Sequence, residues 1–204
     1  MARKIDLPAL RKSSAQAARE ATALYDRAGA LDYWFQAWIA KMSAVEVHAV
    51  WERYVETRLV AALNHNPKNF LEEQNIVGLS GISVGLARYI VRGGNRFFDF
   101  RSMDDLKGKA NRWLGAAANP FNALPAGDLA YIDCLAALRN CVVHGSEASV
   151  KAYKRSLKTV YGIKAASEPA EFLHAKDQRA ASPARYKSRL HGLVEVIARS
   201  ILNT

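Results

Sequence analysis

The stretch LRNCVVHGSE, residues 138–147, ends an apolar run with an arginine, an asparagine and a histidine, then closes it with glycine. Along YIDCLAALRNCVVHG, Tyr131, Leu135, Leu138 and Val142 recur at helical spacing, and Gly145 stands where a left-handed residue would stop the helix. The pattern predicts a helix from about Asp128 to His144 whose end carries Arg139, Asn140 and His144. Asn140 and His144 are four apart and share a face. Arg139 and His144 are five apart, about 140° around an ideal helix, a gap that a loosened last turn and a long arginine stem can close. The trio offers a guanidinium fork for a phosphate, an imidazole that titrates near neutral pH and an amide able to orient either one. These are the groups a phosphodiester site needs.

The elements that must position them read as helices. From Tyr33 to Leu63, apolar residues such as Val47, Val50, Trp51, Tyr54, Val55, Leu59 and Leu63 recur at threes and fours until Pro67 stops the pattern, which predicts one long helix or two. SMDD, residues 102–105, has the spacing of a capping box and opens a helix expected to end near Gly115, with NPFNALPAGD as a loop. SVKAYKRSLKTVYG sets Val150, Tyr153, Leu157, Val160 and Tyr161 on one face; SPARYKSRLHGLVEVIARSIL opens with Ser182 as N-cap and Pro183 at the first helical position. The expectation is an all-α bundle of long antiparallel helices, a single domain over 1–204 with its core over about 30–204 and an N-terminal helical extension. Residues 162–182 form the expected mobile loop. Gly78, Gly81 and Gly85 in NIVGLSGISVGLARYIVRGG fit either a close helix contact or a short hairpin near 76–92.

Half of the 204 residues are hydrophobic, enough for one sizeable core. No window reaches the roughly 18 consecutive apolar residues of a membrane span, and MARKIDLPALRKSS has charges where a signal peptide has its apolar centre. A soluble, cytoplasmic protein is expected. Cys134 and Cys141 lie seven apart on one helix, roughly 10 Å, too far for a disulfide, and read as reduced packing residues. The formal charge of +10 and a pI near 9.8 favour an anionic partner. From Lys151 onward eleven lysines and arginines stand against four acids, and Lys151, Lys154, Arg155 and Lys158 form a basic stripe opposite an apolar helix face.

RNCVVH resembles the Arg-x4-His motif of the HEPN superfamily, helical domains found in many prokaryotic toxin, abortive-infection and RNA-processing proteins, in which a polar residue such as Asn commonly follows the arginine. The upstream helix VEVHAVWERYVETRL is similar to the acidic and aromatic helix of HEPN bundles. The likeness covers roughly residues 30–204. It implies a metal-independent endoribonuclease, without cofactor, in which Arg139 neutralises the scissile phosphate, His144 acts as general acid or base and Asn140 holds the histidine or the phosphate in place. It further implies that RNA's own 2′-hydroxyl is the nucleophile and that two motifs pair across a homodimer cleft. HEPN toxins regulated by nucleotidyltransferase antitoxins carry a tyrosine two places after the histidine; here that position is Ser146, so regulation by that route is not expected, although an antitoxin or other partner remains open.

Other readings attach to the same residues. Arg139 could form a salt bridge with Glu46, Glu52 or Glu56, and His144 could serve only as a helix C-terminal residue. In the catalytic reading Glu52, with Glu46 and Glu56 near it, orients Arg139 rather than acting as a base. Glu46, His48 and Glu52 do not form a HExxH metal motif, and no metal is expected. Lys151, Lys154, Arg155 and Lys158 either bind RNA or form a solvated face. Trp34, Trp38, Trp51 and Trp113 read as core or dimer interface rather than base-stacking platforms, since they sit in apolar-periodic helices. The alternative function is a catalytically silent HEPN module that binds RNA or a nucleotide or serves in assembly; a purely structural helical protein is a third reading.

Overall fold

The computed structural model describes residues 4–163, 167–177 and 187–204. Its helices are α1 (Leu7–Glu20), α2 (Ala23–Arg27), α3 (Tyr33–His65), α4 (Lys68–Glu73), α5 (Val84–Arg92), α6 (Met103–Leu114), α7 (Ala126–His144), α8 (Glu147–Tyr161), α9 (Pro169–His174) and α10 (Arg189–Leu202). No strand occurs among the described residues, where Lys176 and Ser188 meet only in an isolated antiparallel bridge. The protein is all-α, and the apolar pattern from Tyr33 onward forms one helix of 33 residues. Among the described residues no helix is long and apolar enough to cross a membrane.

The chain divides into two compact units. The first comprises Met1–Ser13, Glu52–Leu124 and Asn203–Thr204. Tyr54, Leu59, Leu63, Met103, Leu106 and Phe121 are fully buried in it. The backbone oxygen of Thr204 accepts from Arg58 Nε and Arg11 Nη2, each at 2.8 Å. Asn64 Nδ2 donates to the Ile82 carbonyl at 2.8 Å and so fixes the irregular segment before α5. Ser102 caps α6 by accepting from the Asp105 N–H; the Asp105 carboxylate reaches back to the Arg101 N–H at 2.9 Å, one residue short of the expected capping box.

The second unit comprises Ser14–Trp51 and Pro125–Leu202. Its α7 and α8 are antiparallel: the rings of Tyr131 and Tyr161 lie 5.3 Å apart, and Ser156 Oγ donates to Cys134 Sγ, which pairs the start of one helix with the end of the other. Leu135, Leu138, Tyr153, Leu157, Phe172 and Ile197 are buried. Phe172 sits edge-on to both Tyr153 and Tyr161, with the Arg189 guanidinium 5.0 Å over its ring.

Two expectations need correction. Residues 76–92 do not form a hairpin: Ser83 caps a helix by accepting from the Leu86 N–H, and Gly93 ends it at φ 59°. No close contact explains the glycines either, since a Cβ at Gly78 or Gly81 would meet nothing within 4 Å. Within the loop expected over 162–182, residues 169–174 are helical, opened by a Glu168/Glu171 capping box with Pro169 in the first turn; residues 164–166 and 178–182 lie outside the described residues. The last helix begins at Arg189, whereas its expected cap Ser182 and Pro183 lie outside the described residues. Of the tryptophans read as core or dimer interface, Trp51 is buried as core, whereas Trp34 and Trp38 are 82% and 56% exposed beside exposed Phe35, which excludes only the core reading for them.

Candidate active site on the hairpin of α7 and α8

The start of α7 is anchored by charge. Asp128 is buried in the first turn and receives two hydrogen bonds from Arg199, one of them from Nε at 3.0 Å. Leu135 and Leu138 then fix the helix rotation by burial, which leaves Arg139 half-buried and Asn140 and His144 exposed. Gly145, at φ 58° and ψ 9°, donates its N–H to the Cys141 carbonyl at 3.0 Å and ends α7 immediately after His144. Its conformation, not a lack of space, calls for glycine, because a Cβ there would meet no atom within 4 Å. Ser146 opens α8 by accepting from the Ser149 N–H. Two residues therefore reverse the chain, and the trio lies at the tip of an αα-hairpin.

Arg139 Nη1 donates to Asn140 Oδ1 at 2.8 Å. That contact addresses the 140° gap of an ideal helix: Asn140 shares its face with His144, so an arginine bent toward Asn140 is turned toward the histidine's side. The turn itself stays helical through His144, so the swing comes from the arginine stem. Arg139 makes no ion pair with a carboxylate among the described residues, and Glu56, one of its expected partners, instead accepts from Arg92 at 2.7 Å. His144 makes no hydrogen bond among the described residues, so it does not cap the end of its helix. Both groups are left free to meet a ligand.

Lys151, Lys154, Arg155 and Lys158 are all exposed along α8, opposite buried Tyr153 and Leu157, and none pairs with a carboxylate among the described residues. Four uncompensated cations in line favour a polyanion. Glu46 is exposed and Glu52 half-buried on α3, whereas His48 is buried. Among the described residues no three His, Cys, Asp or Glu side chains form a metal-ligating group. Burial pushes the Cys141 thiol up, with Glu168 adding to the effect against Lys154, which disfavours a thiolate nucleophile.

Sequence reasoning missed two constellations. His191 joins Ser188 Oγ through Nδ1 at 2.8 Å and Asp26 Oδ1 through Nε2 at 2.7 Å, beside a cavity of about 460 Å³. The serine contact is local to the first turn of α10, and the neighbouring Arg19 and Glu195 pair with each other at 3.4 Å, so these groups largely satisfy one another. Asp26 lies 165 residues from His191, and no spacing in the sequence could announce that contact. The second constellation, arginines set among aromatics over RYIVRGGNRFFDFR, was visible in the sequence.

The chain matches no family model, no curated protein and no solved structure.

Proposed function

We propose that this chain is a metal-independent endoribonuclease of the HEPN type, acting on cytoplasmic RNA in a toxin, abortive-infection or defence role. The observation that carries the reading is the hairpin tip: an arginine held by a neighbouring amide rather than a carboxylate, beside a histidine with no partner among the described residues. In the proposed reaction a base takes the proton of the 2′-hydroxyl, O2′ attacks phosphorus, and the 5′-oxygen leaves with a proton from an acid. The products are a 2′,3′-cyclic phosphate and a 5′-hydroxyl. Arg139 opposes the charge that grows on the phosphorane, Asn140 aims it, and His144 moves one of the two protons. One histidine cannot be acid and base in the same step, so a second copy related by twofold symmetry supplies the other. Exposed Trp34, Phe35 and Trp38 offer the kind of apolar face that such pairing covers.

Cleavage of RNA in EDTA, with DNA of the same sequence left intact, is the expected result, and His144→Ala and Arg139→Ala are expected to abolish it without loss of helical circular dichroism. Normal cleavage by both variants overturns the proposal. Specific binding of RNA by a verified dimer, with no cleavage, would favour a silent binding module instead. The cations of α8, without a carboxylate partner among the described residues, are the observation on which that second reading rests.

A further inference from the structure

The first unit carries a surface that the hairpin chemistry does not use. Between α5 and α6 the chain turns through Gly93 and Gly94, both at positive φ, and continues as NRFFDFRS. Tyr89 and Phe97 are each 66% exposed, far more than large aromatic rings usually are. Arg96 lies over the Phe97 ring at 5.2 Å from its centre, so the ring and the guanidinium present one combined face. Phe98 turns the other way. It meets Phe100 at 5.6 Å and Trp113 at 6.2 Å and, with Arg101, Lys109 and Trp113, lines a cavity of about 320 Å³. That volume lies at the small end of the usual ligand pocket of about 300–1,000 Å³.

The charges around these rings are unevenly committed. Arg92 is held by Glu56, and Lys109 by Asp105 at 3.0 Å and the Asp99 carbonyl at 2.6 Å. Arg96, Lys107 and Arg112 have no carboxylate partner among the described residues, whereas Arg101 lies within electrostatic reach of Asp105. Asp99, exposed at the rim, is the opposing charge.

We infer that this surface binds a single-stranded nucleic acid, with one base in the Phe98–Trp113 cavity, flanking bases stacked on Tyr89 and Phe97, and phosphates on Arg96 and Arg101. Exposed rings interleaved with guanidinium groups fit an unpaired strand, whose bases offer flat faces at intervals between phosphates; a duplex hides those faces. The concave cavity also favours a base over an anionic membrane, which would be met by projecting side chains alone. The inference does not depend on catalysis at His144, and DNA serves as a probe that the proposed ribonuclease cannot cut.

The test is fluorescence anisotropy of a labelled fifteen-nucleotide oligo(dT), duplex DNA of equal length and vesicles of mixed phosphatidylserine and phosphatidylcholine. The full chain should bind the single strand more tightly than the duplex. Tyr89→Ala with Phe97→Ala should raise the Kd for oligo(dT) by about tenfold or more, since each stacked base contributes about 1–3 kcal/mol. Arg96→Glu with Arg101→Glu should lower the slope of log K against log salt by about 1.4. All four side chains are exposed, so the helical spectrum should be unchanged. Unaltered oligo(dT) affinity in the aromatic variant overturns the inference, as does equal binding of duplex and single strand. Vesicle binding that the aromatic substitutions abolish, while strand binding persists, assigns the surface to membrane and likewise overturns it. Loss of RNA cleavage in His144→Ala with oligo(dT) binding intact separates this inference from the nuclease proposal.

Discussion

The tip of the α7–α8 hairpin and the α5–α6 surface both display arginine, but they are built to opposite plans. At the tip three polar side chains lie within six residues, and one hydrogen bond, Arg139 to Asn140, sets the direction of the charge. On the α5–α6 surface charges and rings are spread from Tyr89 to Trp113, and the defining contacts are ring to ring or cation to ring. Proton transfer needs a few groups placed to a fraction of an ångström, whereas binding a flexible strand needs many weak contacts over distance. The first plan is sensitive to single atoms, the second to total charge and area.

The largest expected effect tests that division. His144→Ala should lower the rate of RNA cleavage by a factor on the order of 10³, the weight of one general acid or base, with Tm unchanged. A loss of affinity for oligo(dT) in the same variant would merge the two regions into one. Next is Asn140→Ala, which frees the guanidinium and should slow cleavage about tenfold, the equivalent of about 1.4 kcal/mol for one hydrogen bond. A loss as large as that of Arg139→Ala would make Asn140 a catalytic partner in its own right.

The two regions differ in how much of each the sequence disclosed. Apolar spacing disclosed α3, α7 and α8, the cap spacing of SMDD disclosed α6, and the end of α7 followed from Gly145 after His144, because a helix stop is written in local chemistry. Residues 76–92 misled because glycines suggested a turn; Gly78 and Gly81 precede the helix, and Gly85 falls in its first turn, where the loss of helix propensity matters least. For α9 the signal was present, since Glu168-Pro169-Ala170-Glu171 is a capping box around a first-turn proline, but the segment was too short for its periodicity to register. Trp34 and Trp38 were not legible as exposed residues. Period 3.6 identifies a helix, but which side is covered depends on neighbours far along the chain, as the Asp26–His191 contact also does. At the site, the Arg139–Asn140 bond was suggested by adjacency, whereas the capture of Glu56 by Arg92 was not.

Smaller effects sharpen the comparison. Lys151→Glu with Lys158→Glu should flatten the salt dependence of RNA binding by about 1.4 in log–log slope, a measurement that places the α8 cations either on the bound strand or, if the slope does not move, in solvent alone. Gly145→Ala should cost about 1–2 kcal/mol, because an L-residue resists φ 58°, and thermal melting should show it.

The smallest effect is on pH dependence. Burial lowers the His174 pKa against the opposing pull of Glu168, and its Nδ1 lies 2.9 Å from the Tyr25 hydroxyl. As pH falls below about 6.5 the unfolded chain takes up a proton that the folded one resists, so stability drops with acid until the lower folded pKa is passed. His174→Gln should flatten the pH dependence of Tm just below about pH 6.5. In the first unit the Arg101 N–H, and then Lys109, hold Asp105 below its usual range. That contribution is present above about pH 4 and is lost only as pH falls through the depressed value. Acid should therefore weaken the second unit first.

The two-residue link at Gly145 and Ser146 also bears on how the molecule is made. Arg139, Asn140, His144 and the α8 stripe all lie within residues 139–158, in helices whose mutual contacts close over a short stretch of chain. Such local contacts cost little loop entropy and form on the fast side of the folding timescale, well before pairings that span the chain, such as Asp26 with His191. The hairpin can therefore assemble soon after Tyr161 has been synthesised and left the ribosome, while α10 is still to come. The order of translation would deliver the tip with Arg139 and His144 ahead of the helix whose Arg199 anchors Asp128.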